Sequence, residues 1–358
     1  MKINFLIPTT GITGGIRVVF EHANKLAEWG HEINIIYPYV LSKNASNKEK
    51  IFGKLKRIKR IFLKLSNSDR ITWFNIDLRI KIIKVPNLSA KYIPDADVTI
   101  ATANQTADWL VEYPKDKGEK FYFIQDYETW TRSNEQVDAT WKMPLKKIVI
   151  AKWLEKLAKE KFNEKIYGIV PDGVDFKNFY NHKKIFNKKR RIFMMYHIFE
   201  KKGFADGLKA FNIAKNKHPE ISLILYGAYK LKGGLLKNID YYYKPTGEKL
   251  RELFSTSDIF LWPSRVEGFG IPPMEAMACK CAVISTDTGA IREYAIPDKT
   301  AIIVPPERPD LMAEKLIDLI EDENKLRNIS LDSYNYIQNF SWGKSSKIFS
   351  NILLNKIL

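Results

Sequence analysis

Apolar residues fall into short runs that alternate with stretches of helical period. Ile3 to Pro8 (INFLIP) predicts a buried strand, TTGITGG a loop, and Ile16 to Trp29 an amphipathic helix stopped by Gly30. HEINIIYPYV predicts the second strand. Strand, glycine-rich loop, helix, strand is the opening of a doubly wound α/β domain. RIKIIKVPN and ADVTIATAN predict further strands, with helix TADWLVEYP after the second. KFYFIQDYETW reads as a strand ending in polar residues, and KKIVIAKWLEKLAKEKF as strand then helix. From RRIFMMYHIFEKKGFADGLKAF the alternation starts again. ISLILYGAY, IDYYYKP, DIFLW (Asp258 to Trp262) and AIIVPP read as strands, with helices between and after them. Past Phe340 the chain ends in an amphipathic helix. The expectation is two α/β domains, residues 1–170 and 171–340, with 341–358 as a terminal helix.

Length and composition fit this division. The 358 residues suit two domains of ordinary size, and 45% hydrophobic content fills two cores. Apolar runs fall far short of the ~20 residues that span a bilayer. Pro8 and the neighbouring threonines interrupt any apolar leader in MKINFLIPTTG, so the expected location is cytoplasmic. The two cysteines, Cys279 and Cys281, have neither redox nor zinc spacing and read as core residues. The five histidines show no metal spacing.

Net charge is +17, which implies an anionic partner without choosing one. Much of the excess lies in one segment, Lys48 to Leu65 (KEKIFGKLKRIKRIFLKL). Ile51, Leu55, Ile58, Phe62 and Leu65 form a stripe at helical spacing, and eight Lys or Arg fill much of the rest. Two readings stand: a helix packed on its own domain, or one lying on the anionic inner face of a membrane. No aromatic-interleaved or helix-turn-helix pattern supports nucleic acid.

The chemistry concentrates in Trp262 to Cys281, WPSRVEGFGIPPMEAMACKC. A buried strand is followed by the loop EGFG and a short helix from about Pro273. A helix N-terminus of this kind offers N–H groups to a phosphate or a sugar hydroxyl. Gly268 and Gly270 let the backbone approach a ligand. Glu267 lies in the loop and Glu275 in the expected first helical turn. A carboxylate accepts two hydrogen bonds from a diol, and ribose and hexoses present diols.

This stretch resembles the donor-site signature of retaining glycosyltransferases of family four, which have the GT-B fold. The resemblance is dense from about Ile166 to Val304 and looser from Lys2 to Lys165. It implies an α/β protein of two Rossmann-like domains facing a cleft, the first for the acceptor and the second for the donor, with the terminal helix crossing back onto the first. GIVPDGVD resembles the family's inter-domain junction, with Asp172 in place of Asn. Carried over residue by residue, the resemblance assigns Glu275 to a ribose diol and Glu267 to the donor sugar. Gly268, Phe269 and Gly270 fall beside sugar and diphosphate. Lys202 falls on the diphosphate, and Gly14, Gly15 and Gly227 on the donor loops. His197 stands where the family carries Arg, so that a protonated His197, or else Lys201 or Arg265, would supply the missing charge. Gln125, Asp126 and Glu128 fall on the acceptor side, with Gln125 in place of the usual His. The QDYE ending is similar to a rhamnosyltransferase-like branch.

The implied activity is transfer of a sugar from a nucleoside diphosphate to a glycan or lipid-linked acceptor in cell-surface polysaccharide synthesis. Charge stabilisation at the leaving oxygen needs no metal and no other cofactor. The alternatives are a membrane- or anion-binding protein of this fold without transferase activity, or an epimerase or phosphorylase.

Overall fold

The computed structural model describes residues 1–43, 71–231 and 239–355, so the basic segment 48–65 lies outside the described residues. The chain forms two compact units, residues 1–172 with 342–358, and residues 173–341.

The first unit holds a parallel sheet in the order β3-β2-β1-β4-β5-β6-β7. Its strands are β1 (Lys2–Leu6), β2 (Glu32–Pro38), β3 (Lys81–Val85), β4 (Val98–Ala101), β5 (Glu119–Ile124), β6 (Lys146–Val149) and β7 (Gly168–Ile169). β1 and β4 are buried along nearly their whole length, as expected of a parallel sheet covered on both faces. The helix predicted from Ile16 starts two residues earlier, at Gly14, and runs to Glu28. Thr13 is its N-cap, accepting from the Ile16 N–H at 3.3 Å, which pulls both glycines into the first turn. β5 ends at Ile124, so QDYETW is loop, not strand. Helix Asn134–Trp141 was not expected from the pattern.

The terminal helix Trp342–Leu353 belongs to this unit and packs on helix Gly14–Glu28. His22 is wholly buried between them. Its Nδ1 lies 2.9 Å from Ser346 Oγ, and its ring meets Phe123, Trp342 and Phe349. Burial pushes His22 down to about 3, so it is neutral.

The second unit holds a parallel sheet in the order β10-β9-β8-β11-β12-β13. Its strands are β8 (Arg191–Met195), β9 (Ser222–Gly227), β10 (Asp240–Tyr243), β11 (Ile259–Trp262), β12 (Ala282–Thr286) and β13 (Ile302–Val304). Ile192, Met194, Leu225, Leu261 and Ile284 join Ala210, Ala313 and Leu316 of the covering helices in one core. Cys279 and Cys281 are also buried, and desolvation pushes both thiols up to about 12. Helix Glu323–Ile337 was missed; Asp322 caps it through the Lys325 N–H at 2.9 Å.

Both sheets are doubly wound, with the order reversing between β1 and β4 in the first unit and between β8 and β11 in the second. Ligands of such sheets bind beyond the strands' carboxyl ends at that reversal. The loops after β1, β8 and β11, carrying Gly14 and Gly15, Lys202, and Glu267 respectively, emerge there.

Candidate active site

Because β8 and β11 pair directly, with Leu261 opposite Met194, the loops leaving them are neighbours. The loop after β8 carries His197 and a short 3₁₀ turn, Glu200–Lys202. The loop after β11 runs from Pro263 into helix Ile271–Ala278. They are bound tightly together. The Lys201 carbonyl accepts from the Arg265 N–H at 2.8 Å, the Val266 N–H at 3.3 Å and Ser264 Oγ at 3.2 Å. Gly203 ends the turn in the left-handed region, φ 64°, and a Cβ there would overlap the Pro263 carbonyl.

This docking brings Lys202 and Glu267 together. Lys202 Nζ donates to Glu267 Oε1 at 2.7 Å, with the two side chains 20% and 9% exposed. Residues far apart in sequence thus place a cation and a carboxylate at the reversal of strand order.

Arg265 behaves otherwise than expected. Its guanidinium binds Asp206 through Nε at 2.9 Å and Nη2 at 3.2 Å, Glu200 at 2.8 Å and Glu307 at 3.0 Å. These carboxylates raise its pKa, Asp206 first. With its donors committed to three acids, Arg265 is not available as the replacement cation. It secures the lysine turn to two further elements.

His197 does not supply that charge either. Desolvation, with Lys202 and Lys201 nearby, lowers it to about 4, so it is neutral near pH 7.

The helix after EGFG begins at Ile271, not at Pro273, with Gly270 as N-cap at φ 98°. Pro272 and Pro273 therefore occupy the second and third helical positions, which removes two of the N–H groups such a terminus normally offers. Donors must come from Ile271 and the Gly268–Gly270 loop. Glu275 is the fifth helical residue, beyond the first turn, and only 2% exposed. Phe269 is spent on packing: 3% exposed, its ring stacks on Tyr294 at 5.4 Å. Tyr294 Oη donates to the Gly270 carbonyl at 2.8 Å, fixing the loop. Gly227 is small because the Tyr196 carbonyl lies against it.

In the first unit, Gly14 has open space above its Cα, and a Cβ on Gly15 would sit 3.2 Å from Gln125 Oε1. Gly14, Gly15 and Gln125 therefore gather at one place. Gln125 Oε1 is buried and, among the described residues, has no hydrogen-bond partner, an unmet acceptor. Asp126 Oδ1 accepts from the Tyr127 N–H at 2.8 Å. Glu128, expected on the acceptor side, has its Oε2 accepting from the Asn104 N–H at 2.8 Å, capping helix Asn104–Leu110.

Sequence reasoning missed Tyr294, Asp206 and Glu307, the residues that hold the loops. Glu307 has φ 59°, uncommon for a non-glycine residue, and its carboxylate reaches Arg265. Nothing in the linear pattern marks these partners.

The chain is similar to known glycosyltransferases. The profile of the family "Glycosyl transferases group 1" matches residues 175–335. D-inositol 3-phosphate glycosyltransferase of Paenarthrobacter aurescens is 24% identical over 154 residues, 39% of this chain and 38% of that protein. Alpha-maltose-1-phosphate synthase of Mycolicibacterium smegmatis is 33% identical over 101 residues, 26% of each chain. The matched stretches thus span well under half of these curated relatives. Two solved structures superpose over almost everything. Sucrose-phosphate synthase from Thermosynechococcus elongatus gives a TM-score of 0.72 at 15% identity, covering 99% of this chain and 98% of that one. Anabaena HepE in complex with UDP and glucose gives 0.74 at 13% identity, covering 99% and 100%. At this identity the likeness establishes the fold, and the fold is GT-B.

Proposed function

We propose, from the premise that residues 175–335 are a domain of the glycosyl transferases group 1 family, that the chain is a glycosyltransferase using a nucleoside-diphosphate sugar. The observation that carries this reading is the Lys202–Glu267 pair at the reversal of strand order. The leaving group of such a reaction is a diphosphate, and its developing charge needs a preorganised cation. Lys202 is that cation. Glu267 receives hydroxyls of the donor sugar, and buried Glu275 the ribose diol. Backbone N–H groups of Gly268–Gly270 and Ile271 complete the diphosphate site, without a metal ion.

The acceptor side is Gln125 and Asp126, with the donor-loop glycines Gly14 and Gly15 beside Gln125. The finer reading is a retaining enzyme, of the rhamnosyltransferase-like branch, acting on a glycan or lipid-linked acceptor in cell-surface polysaccharide synthesis. It rests on the QDYE ending and on the donor-site resemblance. No described helix is long and apolar enough to cross a membrane. The basic, striped sequence 48–65 supports peripheral contact with anionic lipid, and flotation with anionic vesicles at low and high salt tests it.

The deciding experiment screens UDP-, GDP- and dTDP-sugars for hydrolysis and transfer, with NMR of the product anomer. HepE was solved with UDP and glucose, which makes UDP-glucose the first probe. Release of nucleoside diphosphate with the donor's anomeric configuration kept is the expected result. No turnover and no binding of any donor would sink the reading.

A further inference from the structure

We propose that His197 serves the donor diphosphate as an uncharged hydrogen-bond donor through Nε2–H. The proposal rests on the donor-site reading above and deepens it.

The tautomer follows from one contact. The Phe199 N–H donates to His197 Nδ1 at 3.0 Å. A backbone N–H only donates, so Nδ1 bears a lone pair there and the proton of the neutral ring sits on Nε2. Protonating Nδ1 would break this bond and leave the Phe199 N–H opposed to another N–H. The ring is also held in place. Its centroid lies 4.8 Å from those of Phe199 and Tyr229, with Tyr229 edge-on at 76°. The turn carrying Lys202 follows directly, and Lys202 is anchored on Glu267.

The neighbouring groups oppose a charge on the ring. On its own loop stand Lys201 and Lys202, and both disfavour the imidazolium. Tyr229 comes from the connection after β9, and Glu267 from the loop after β11 is paired with Lys202. Among the described residues, Nε2 has no hydrogen-bond partner in the protein. A half-buried N–H next to a lysine turn, with its tautomer set by the backbone, is a preformed donor for a phosphate oxygen. The chemical consequence is a diphosphate site in which His197 contributes a hydrogen bond but no charge, with no proton uptake by His197 on binding.

Two measurements test this. Nitrogen-15 NMR of the histidine rings in the free protein reads the tautomer independently of any activity. The expected result is a neutral Nε2–H ring from pH 6 to 8. An imidazolium or an Nδ1–H ring at pH 7 overturns the proposal. Titration with UDP-, GDP- and dTDP-glucose, whose diphosphate diesters do not titrate in this range, then reads the contact. For the donor that binds, His197→Phe is expected to lose about three- to tenfold in affinity, the worth of a neutral hydrogen bond. His197→Gln, which keeps an N–H donor, is expected to stay within about threefold of wild type. Wild-type binding with His197→Phe unchanged would overturn the proposal while leaving the donor site intact. Wild type binding none of the three would bring down the donor-site reading, and this proposal with it.

Discussion

Lys202 Nζ stands 2.7 Å from Glu267 Oε1, so the cation assigned to the diphosphate is already held by the carboxylate assigned to the sugar. On the proposed assignment a bound diphosphate would compete for Lys202, and Glu267 would turn to the sugar hydroxyls only as that pair loosens. Glu267→Gln should therefore keep or improve affinity for free nucleoside diphosphate while lowering sugar transfer at least about tenfold. Lys202→Ala should lower both, and more than Lys201→Ala does. Calorimetric titration beside initial rates checks this. A parallel loss of both properties in Glu267→Gln would contradict it.

Glu275 is almost wholly buried, and a ribose diol would reach it as a charge-assisted pair. Such bonds contribute about 1.5–3 kcal/mol, so Glu275→Ala should weaken nucleotide binding about ten- to a hundredfold. Glu275→Gln should fall between. The test is nucleotide titration of variants whose circular dichroism matches wild type. Equal affinities would remove Glu275 from the site.

Gly203 has no room for a side chain, since a Cβ meets the Pro263 carbonyl. Adding the cost of its positive φ, Gly203→Ala should destabilise the second unit by about 1–3 kcal/mol and displace Lys202. Turnover should fall further than melting temperature suggests. A variant with normal turnover would show that the lysine turn tolerates rearrangement.

Asp172 predicts a pH dependence of stability. Burial raises its pKa to about 8, with Arg17 pulling partly the other way. The folded group keeps a proton that the unfolded chain releases near ~3.9. Its contribution is full below that value and is lost as pH rises through about 8. His22 has the opposite sign: depressed to about 3, it contributes fully above ~6.5 and is lost as pH falls. Between pH 6.5 and 8 the contributions of the depressed histidines His22 and His197 level off, and Asp172 sets the slope. Stability should decline across this window by up to about 1.4 kcal/mol per pH unit. Asp172→Asn should flatten the slope and stabilise the protein at pH 8. Denaturation at half-unit steps decides; identical slopes for both proteins would refute the assignment.

The strands were legible because a parallel sheet buried on both faces writes itself as unbroken apolar runs, as in DIFLW and ISLILYG. The carboxylates of the EGFG stretch were legible because their spacing is local. Arg265 was not. Its role depends on Asp206 and Glu307, which only the tertiary structure brings within 3.0 Å. The packing of the Phe269 ring on Tyr294 was not legible for the same reason, although it leaves the Phe269 backbone in the donor loop. The two prolines of GIPP were readable and undervalued, because each removes an N–H wherever the helix starts. Helix Glu323–Ile337 hid behind its polar face, although Asp322 before Glu323 is an ordinary start signal.

The terminal helix has a topological consequence. Residues 173–341 leave the first unit after Asp172 and return to it at Trp342, so the second unit is an insertion within the first. Both edges are fastened: Val174 N–H donates to the Phe340 carbonyl at 2.9 Å, and Ser345 Oγ donates to the Pro171 carbonyl. When the second unit unfolds inside an intact first unit, it does so as a closed loop rather than a free chain. Its unfolded ensemble is smaller, and less entropy opposes refolding. One nick at either crossing would open that loop and weaken the second unit without touching its core.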